Sequence, residues 1–288
     1  MIVQEVIGGL TLGCIYALVA LGFVLIYKTT EIINFAQGEF MTLGAFIAFT
    51  LITSIKLSVL LAIPITLLLT FVFGILLDRC LFRKLIGEEA FALVMVTIGI
   101  SIGMRSLIGM VWTYDTLSFP QIFSKDPITM LGVRMTPLQI GIISSTIAAV
   151  ALLYIFFKYT RIGIAMQAAA QNQLSSYLMG VNVERIFSLI WGISCMVAAI
   201  AGILLAPIIF LNHNMGFIGI KAFPAAILGG FGSIPGAIVG GIILGVSETM
   251  AGIYLPTGFK DVFASLILLL VLMIRPEGIF GIQEKKRV

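Results

Sequence analysis

The sequence predicts an all-α polytopic membrane protein: one transmembrane domain over residues 1–288, with eight to nine spanning helices and broken, glycine-rich helices in its C-terminal half. Three observations predict it. Of the 288 residues 60% are hydrophobic and only 10% charged, and the mean hydropathy of +1.17 lies far outside the soluble globular range. Apolar runs recur at close to the ~20 residues that a helix needs to cross ~30 Å of hydrocarbon. The last third stays apolar but is interrupted by Pro224, Pro235, Pro256 and paired glycines.

Taken in order, the runs at 6–27, 36–54, 57–77, 90–110, 138–158 and 185–206 each predict a span. The remainder divides into 214–231, 236–251 and 259–274, pieces short for full crossings. Lys and Arg concentrate in short cytoplasmic loops, which tests the count. With the N-terminus outside and nine crossings, eleven of the seventeen basic residues, including Lys285, Lys286 and Arg287, fall inside and five outside, with Arg105 within a span. Making 214–231 a re-entrant hairpin leaves eight on each side. Nine crossings, N-terminus outside and C-terminus cytoplasmic, is therefore the expected topology. The first run is expected to be retained, since no basic residue precedes it and Lys28 follows it as a cytoplasmic anchor.

Composition excludes several function classes. Three cysteines, an odd count, give no disulfide framework, and a single histidine, His213, gives no metal cluster or hydrolase triad. No GxxxxGK[ST] occurs, so no P-loop is present. The net charge of +4 reads as cytoplasmic loop bias, and no basic stripe with interleaved aromatics points to nucleic acid. Glu39, Arg105 and Glu248 are the intramembrane ionisable candidates, few for an ion-coupled carrier. Arg105 and Glu248 read as near the outer ends of their spans, snorkelling to the interface, with a buried pair between them as the alternative. Glu39 reads as solvated, or capping, at the cytoplasmic start of the second span; the alternative puts Asn34, Gln37 and Glu39 on a translocation path. His213 reads as a loop residue, Trp112, Tyr114 and Tyr254 as an outer aromatic belt, and Trp191 as its inner counterpart.

Two stretches carry polar or helix-breaking residues into this apolar chain. Residues 159–184 read YTRIGIAMQAAAQNQLSSYLMGVNVE, in which Ile164–Leu178 predicts a short helix with a polar side. Gly180 suits the C′ position, Asn182 can cap the next span, and Glu184 complements its dipole. This loop is either a connector in the headgroup region or a docking element for a cytoplasmic partner. The run Lys221–Gly245 places Gly232, Gly236 and Gly240 four apart, and Gly241 and Gly245 likewise, a pattern for close helix packing. Its other reading is that Pro224, Gly229, Gly230 and Gly232 free backbone groups near mid-membrane for a substrate.

The opening GGLTLGCIYALVALGFVLIYKTTEIINFAQGEFMTLGAF, the loop RIGIAMQAAAQNQLSSYLMGVNVERI, KAFPAAILGGFGSIPGAIVGGIILGVSE and the closing FKDVFASLILLLVLMIRPEGIFG together resemble the permease subunits of the branched-chain amino-acid ABC importer family, in detail its H-type member. The resemblance implies an ABC importer permease fold in the bacterial inner membrane. Two permeases form the path, two cytoplasmic ATPases power it, and a periplasmic binding protein delivers leucine, isoleucine or valine. Related permeases handle other amino acids, urea or amides. The chain itself is then no enzyme and binds no cofactor; ATP and Mg are used by the ATPase partners. The implied coupling residues are Arg161, Gly163, Ala168, Ala169, Ala170, Asn172, Gly180 and Asn182. Gln171 and Asn172 stand where the family often carries an acidic residue. Family pairing and exposed GxxxG faces imply a heterodimer with a second, related permease. The competing classes are an ion-coupled secondary transporter and a membrane enzyme or scaffold, for which no nucleophile, base or metal set is found.

Overall fold

Backbone amides in an apolar surrounding must be satisfied within their own segment, so each long apolar run becomes a helix. A computed structural model of the chain describes residues 2–85, 88–120, 122, 126–130, 133–254, 256, 259–275 and 277–281; Lys125 and the tail residues Lys285, Lys286 and Arg287 lie outside them. The nine expected apolar segments are all helical: α1 (Ile2–Thr30), α2 (Gln37–Thr53), α3 (Val59–Cys80), α4 (Ala90–Val111), α5 (Pro137–Tyr159), then α8 (Val183–Ile209), α9 (Gly216–Gly229), α10 (Ile234–Tyr254) and α11 (Phe259–Ile274). Between α5 and α8 lie the short helices α6 (Arg161–Gln171) and α7 (Gln173–Leu178). A small antiparallel hairpin, β1 (Ile128–Met130) and β2 (Val133–Met135), pairs Thr129 with Arg134 in the loop before α5 and was not expected from the sequence.

Six of these helices are long and apolar enough to cross a membrane, whereas α2, α9 and the described part of α11 are shorter. The 14 residues of α9 reach only ~21 Å at 1.5 Å per residue. Non-helical chain supplies the missing length. Residues 31–36 turn back from the end of α1 into the protein before α2 begins, and residues 210–215 do the same between α8 and α9. A residue with positive φ marks each reversal, Glu31 at 59° and Phe210 at 64°.

The two stretches are related as an inverted repeat. Helix α1 packs on α10 as α8 packs on α3, and α1 meets α9 as α8 meets α2. The directions are opposite: α1 ends at the α6–α7 face, where Gln173 Nε2 donates to the Thr29 carbonyl at 3.1 Å, and α8 begins there. Both lie at the centre, with 89% and 83% of their apolar windows buried against 22% for α3, α4 and α5. The described C-terminal residues return to the α6–α7 face, where Ile279 N–H donates to Leu228 O and Phe280 N–H to Gly229 O. Opposite faces for α1's first residues and the last described ones require an odd number of crossings. Segment 210–229 therefore traverses the protein, as nine crossings need.

The glycine faces of α10 are spent inside the chain. Gly241 and Gly245 receive Ala17 and Gly13 of α1, and Gly236 and Gly240 receive Gly229 and Ala225 of α9; a Cβ at any of the four would strike backbone. They are packing residues, as one reading expected, but they are buried rather than exposed, so they offer no surface to a second permease. Gly232 has nothing within 4 Å of a built Cβ and does not share in this packing.

Candidate functional site

Two equivalent turns build the centre of the protein. In the first, Asn34 Oδ1 accepts from Ala36 N–H at 3.1 Å and the Asn34 carbonyl accepts from Gln37 N–H at 3.2 Å. In the second, Asn212 Oδ1 accepts from Asn214 N–H at 3.0 Å and the Asn212 carbonyl accepts from Met215 N–H at 3.1 Å. Asn side chains favour such local turns because they bond the backbone two residues on. Four residues after each Asn comes a glycine, Gly38 or Gly216, and these two meet: a Cβ on Gly38 would collide with the Gly216 carbonyl, and one on Gly216 with the Glu39 carboxylate. The N-termini of α2 and α9 thus converge inside the protein, each presenting the positive end of its helix dipole.

Asn34 and Gln37 are buried bracing groups here. Asn34 Nδ2 donates to Gln37 Oε1, Gln37 Nε2 donates to the Ser194 carbonyl, and Ser194 Oγ donates to the Gly22 carbonyl and Gln37 Oε1. Gly22 leaves the room that the Gln37 amide fills. The set reaches Gly22, about two turns inside the α6–α7 end of α1, and so is not at the start of a span.

Glu39 is 1% exposed, which overturns its placement as a solvated residue. Its Oε1 accepts from Arg105 Nε at 3.0 Å, from Arg105 Nη2 and, at 3.4 Å, from Ser101 Oγ. Among the described residues its Oε2 has no hydrogen-bond partner. The Arg105 guanidinium lies 3.7 Å from the centroid of the Phe217 ring. Arg105 is therefore held by Glu39 rather than snorkelling, because a buried carboxylate in a low-dielectric site requires a counter-charge. Glu248 is likewise buried: Tyr16 Oη donates to its Oε2 at 2.7 Å and Lys221 Nζ lies 3.7 Å from its Oε1. The expected interfacial Glu248 and the alternative Arg105–Glu248 pair are both replaced by these two pairs. His213 lies in the second turn region, its ring edge-on to Tyr114.

The break that the glycine run suggested lies elsewhere. Pro224 sits within α9, and Gly229 and Gly230 end it at the α6–α7 face, where Phe231 packs edge-on against Tyr27 at 4.7 Å. Gly230 takes φ 100° against Gly281 and Glu277. The mid-protein break precedes α9, at 210–215, instead of following it. The Asn-x-x-x-Gly spacing of Asn34–Gly38 recurs in Asn212–Gly216 and is the signal that marks it.

At the α6–α7 face the caps are as read. Gly180, at φ 85°, closes α7 with Gly180 N–H to Tyr177 O and Val181 N–H to Ser176 O, and Asn182 Oδ1 accepts from Arg185 N–H at 3.0 Å. The expected single helix is two, because Asn172 leaves helical geometry and its Oδ1 caps Ser175 N–H at 2.8 Å. Gly163 and Ala169 turn into the chain, Gly163 against Phe156 and Phe157; Ala170 is half-buried; Arg161, Ala168, Asn172, Gly180 and Asn182 face outward. Beside them Leu178 and Met179 stand 75% and 85% exposed, an apolar tip the sequence reading did not single out. Sequence reasoning also missed a clasp between α3 and the start of α8. Ser188 Oγ donates to Asp78 Oδ2 at 2.6 Å, and Arg83 reaches Ser188 Oγ, the Glu184 carbonyl and, at 3.4 Å, the Glu184 carboxylate. Trp191 stacks on Phe82 at 4.0 Å and is fully buried, so it is no belt residue.

Residues 6–272 match the family model described as branched-chain amino acid transport system / permease component. LivH of Salmonella typhimurium, named as a high-affinity branched-chain amino acid transport system permease protein, is 33% identical over 99% of this chain and 97% of its own length. BraD of Pseudomonas aeruginosa, with the same description, is 35% identical over the same shares. Among solved structures, PsaBC from Streptococcus pneumoniae in complex with Fab shares the fold at a TM-score of 0.51 and 13% identity, over 95% of this chain and 91% of that one. With a matching family model over nearly its whole length and full-length relatives above 30% identity, this multi-pass membrane chain belongs to the branched-chain amino acid transport system permease family.

Proposed function

We propose that the chain is the permease subunit of an ATP-binding-cassette importer, translocating leucine, isoleucine or valine delivered by a periplasmic binding protein. In this reading it sits in the bacterial inner membrane with the N-terminus outside and the C-terminus cytoplasmic, paired with a second, related permease. Two cytoplasmic ATPases hold the ATP and Mg, and this chain, lacking a P-loop, contributes no hydrolysis. One observation carries the reading: α6 and α7 form a capped, outward-facing element inserted between two apolar helices, in a chain without an energy source of its own.

Force applied at α6–α7 has two routes inward. Gly163 packs on α5, and Asn182 starts α8, whose first turns are clasped to α3 through Asp78, Arg83 and Ser188. Helix α8 then leads directly to the 210–215 turn and the convergent helix ends. Drawing the ATPases together would displace α5 and α8 and part those ends. Asn34, Gln37, Glu39, Pro224, Gly229, Gly230 and Gly232 are the proposed path residues, the first three buried where α2 and α9 converge and the last three where α9 ends at the α6–α7 face.

Gly180→Trp tests the docking role. Among the described residues nothing lies within 4 Å of a Cβ built there, so the substitution starts in open space at the surface, where its bulk would obstruct a docked partner. Gly180→Ala carries the same left-handed backbone strain, ~1–2 kcal/mol, without the bulk. Leucine uptake by membranes containing the complex is expected to be abolished by Gly180→Trp and retained by Gly180→Ala, with both proteins present in the membrane. Uptake retained in Gly180→Trp would refute the docking role.

A further inference from the structure

We propose that Glu39 and Arg105, with Gly216 and Phe217 beside them, form a transient site for a zwitterionic amino acid with an apolar side chain. The proposal rests on the permease reading and names the group that recognises the substrate in it.

The pair is lopsided. Both donating nitrogens of Arg105 and the Ser101 hydroxyl go to Oε1 of Glu39, and Oε2, on a side chain 1% exposed, has no partner among the described residues. A buried carboxylate oxygen left without a donor is costly, so it is an acceptor held ready for one. The carboxylate packs against Gly216 at the N-terminus of α9, in the position a side chain there would take.

The site also has an approach. Phe217 is 52% exposed, and the Arg105 side chain beneath which its ring lies is 19% exposed. One turn along α9, Lys221 is partly exposed in front of its own buried acid, Glu248. Both acids are thus inside, and both cations are partly exposed beside them. A cation turned to hydrocarbon within a spanning helix is expensive, which argues that these two border water or a protein path.

Charge balance selects the ligand. An amino acid carries an ammonium and a carboxylate on one carbon, the complement of Glu39 and Arg105. Exchange of partners, ammonium to Glu39 Oε2 and carboxylate to the Arg105 guanidinium, leaves four charges paired and none alone in a low-dielectric site. A ligand with a single charge would strand one member of the pair. The apolar side chain then lies along Phe217 and Ile220. Because the ligand must open an existing ion pair, the site binds weakly, as a passage site should.

The test uses the purified complex in proteoliposomes with its binding protein. The double variant Glu39→Gln/Arg105→Gln removes both charges together, so neither is stranded. It is expected to accumulate in the membrane and retain its partner subunits while leucine uptake falls about 10- to 100-fold, the loss of one or two charge-assisted contacts. Uptake within about twofold of the unmutated complex would overturn the site and leave the permease reading standing. An unmutated complex that takes up no leucine would bring down both. A second measurement does not depend on the double variant folding. In a Cys80→Ser background, a Phe217→Cys thiol is labelled with a water-soluble methanethiosulfonate. Leucine is expected to slow the labelling, and 4-methylpentanoate and leucinamide, with one charge each, are not. No protection by leucine, or equal protection by the single-charge analogues, would overturn the proposal.

Discussion

The two segments that lead into short helices, 31–39 and 210–217, share a backbone and differ in chemistry. Each follows a long central helix, reverses through a residue of positive φ, closes an Asn turn and enters a short helix whose first turn carries a glycine that touches its counterpart. At the position after that glycine the first segment places Glu39 and the second Phe217. A single carboxylate therefore serves two helix ends, and the Arg105 that neutralises it leans on the residue that replaces it in the other arm. The repeat supplies a scaffold on which two helix N-termini meet; the asymmetry places one carboxylate, with its arginine, at that meeting point.

Breaking that asymmetry gives the largest expected effect. Glu39→Gln alone strands Arg105 and is expected to cost ~3 kcal/mol, the low end for a buried pair because Arg105 keeps some exposure, whereas Phe217→Leu should cost ~1 kcal/mol. Thermal midpoints of the purified complex check both. Next come the shared glycines. Gly38→Ala and Gly216→Ala each drive a methyl into the opposite segment, and each should lower stability by ~1–3 kcal/mol; a large loss at one with none at the other would break the equivalence of the arms. The Asn turns sharpen it further. Asn34→Ala should cost ~2 kcal/mol, since Asn34 is buried and also holds Gln37, against ~1 kcal/mol for the half-buried Asn212→Ala. The smallest effect belongs to Gly232→Ala, expected within ~0.5 kcal/mol because nothing crowds that position, while Gly241→Ala meets Ala17.

The nine helices were legible because a span must be apolar over its whole length, and the caps at Gly180 and Asn182 because each residue type answers a specific orphan group. Depth was not. Hydropathy places 36–54 as a run but does not say that residues 31–36 double back, so Glu39 read as interfacial although it is buried. Arg105 illustrates the same limit: a lone arginine near the end of an apolar run reads alike whether it snorkels or pairs with an acid sixty-six residues away. The turn at 210–215 was legible only by comparison, through the repeated Asn-x-x-x-Gly spacing, and the Pro and Gly of 224–232 drew the eye to the wrong end of α9. Asn172 split a helix that its alanine-rich neighbours favoured, because one capping side chain outweighs a weak propensity.

On the proposal made above, ATPases outside this chain drive it as a permease. Gentle detergent purification from native membranes, mass identification of what stays bound and an ATPase assay with a leucine-loaded binding protein test that proposal most directly. Two P-loop ATPases and a second permease are expected to stay bound, with hydrolysis stimulated by the loaded binding protein. A chain that purifies alone and drives leucine uptake from an ion gradient would contradict it.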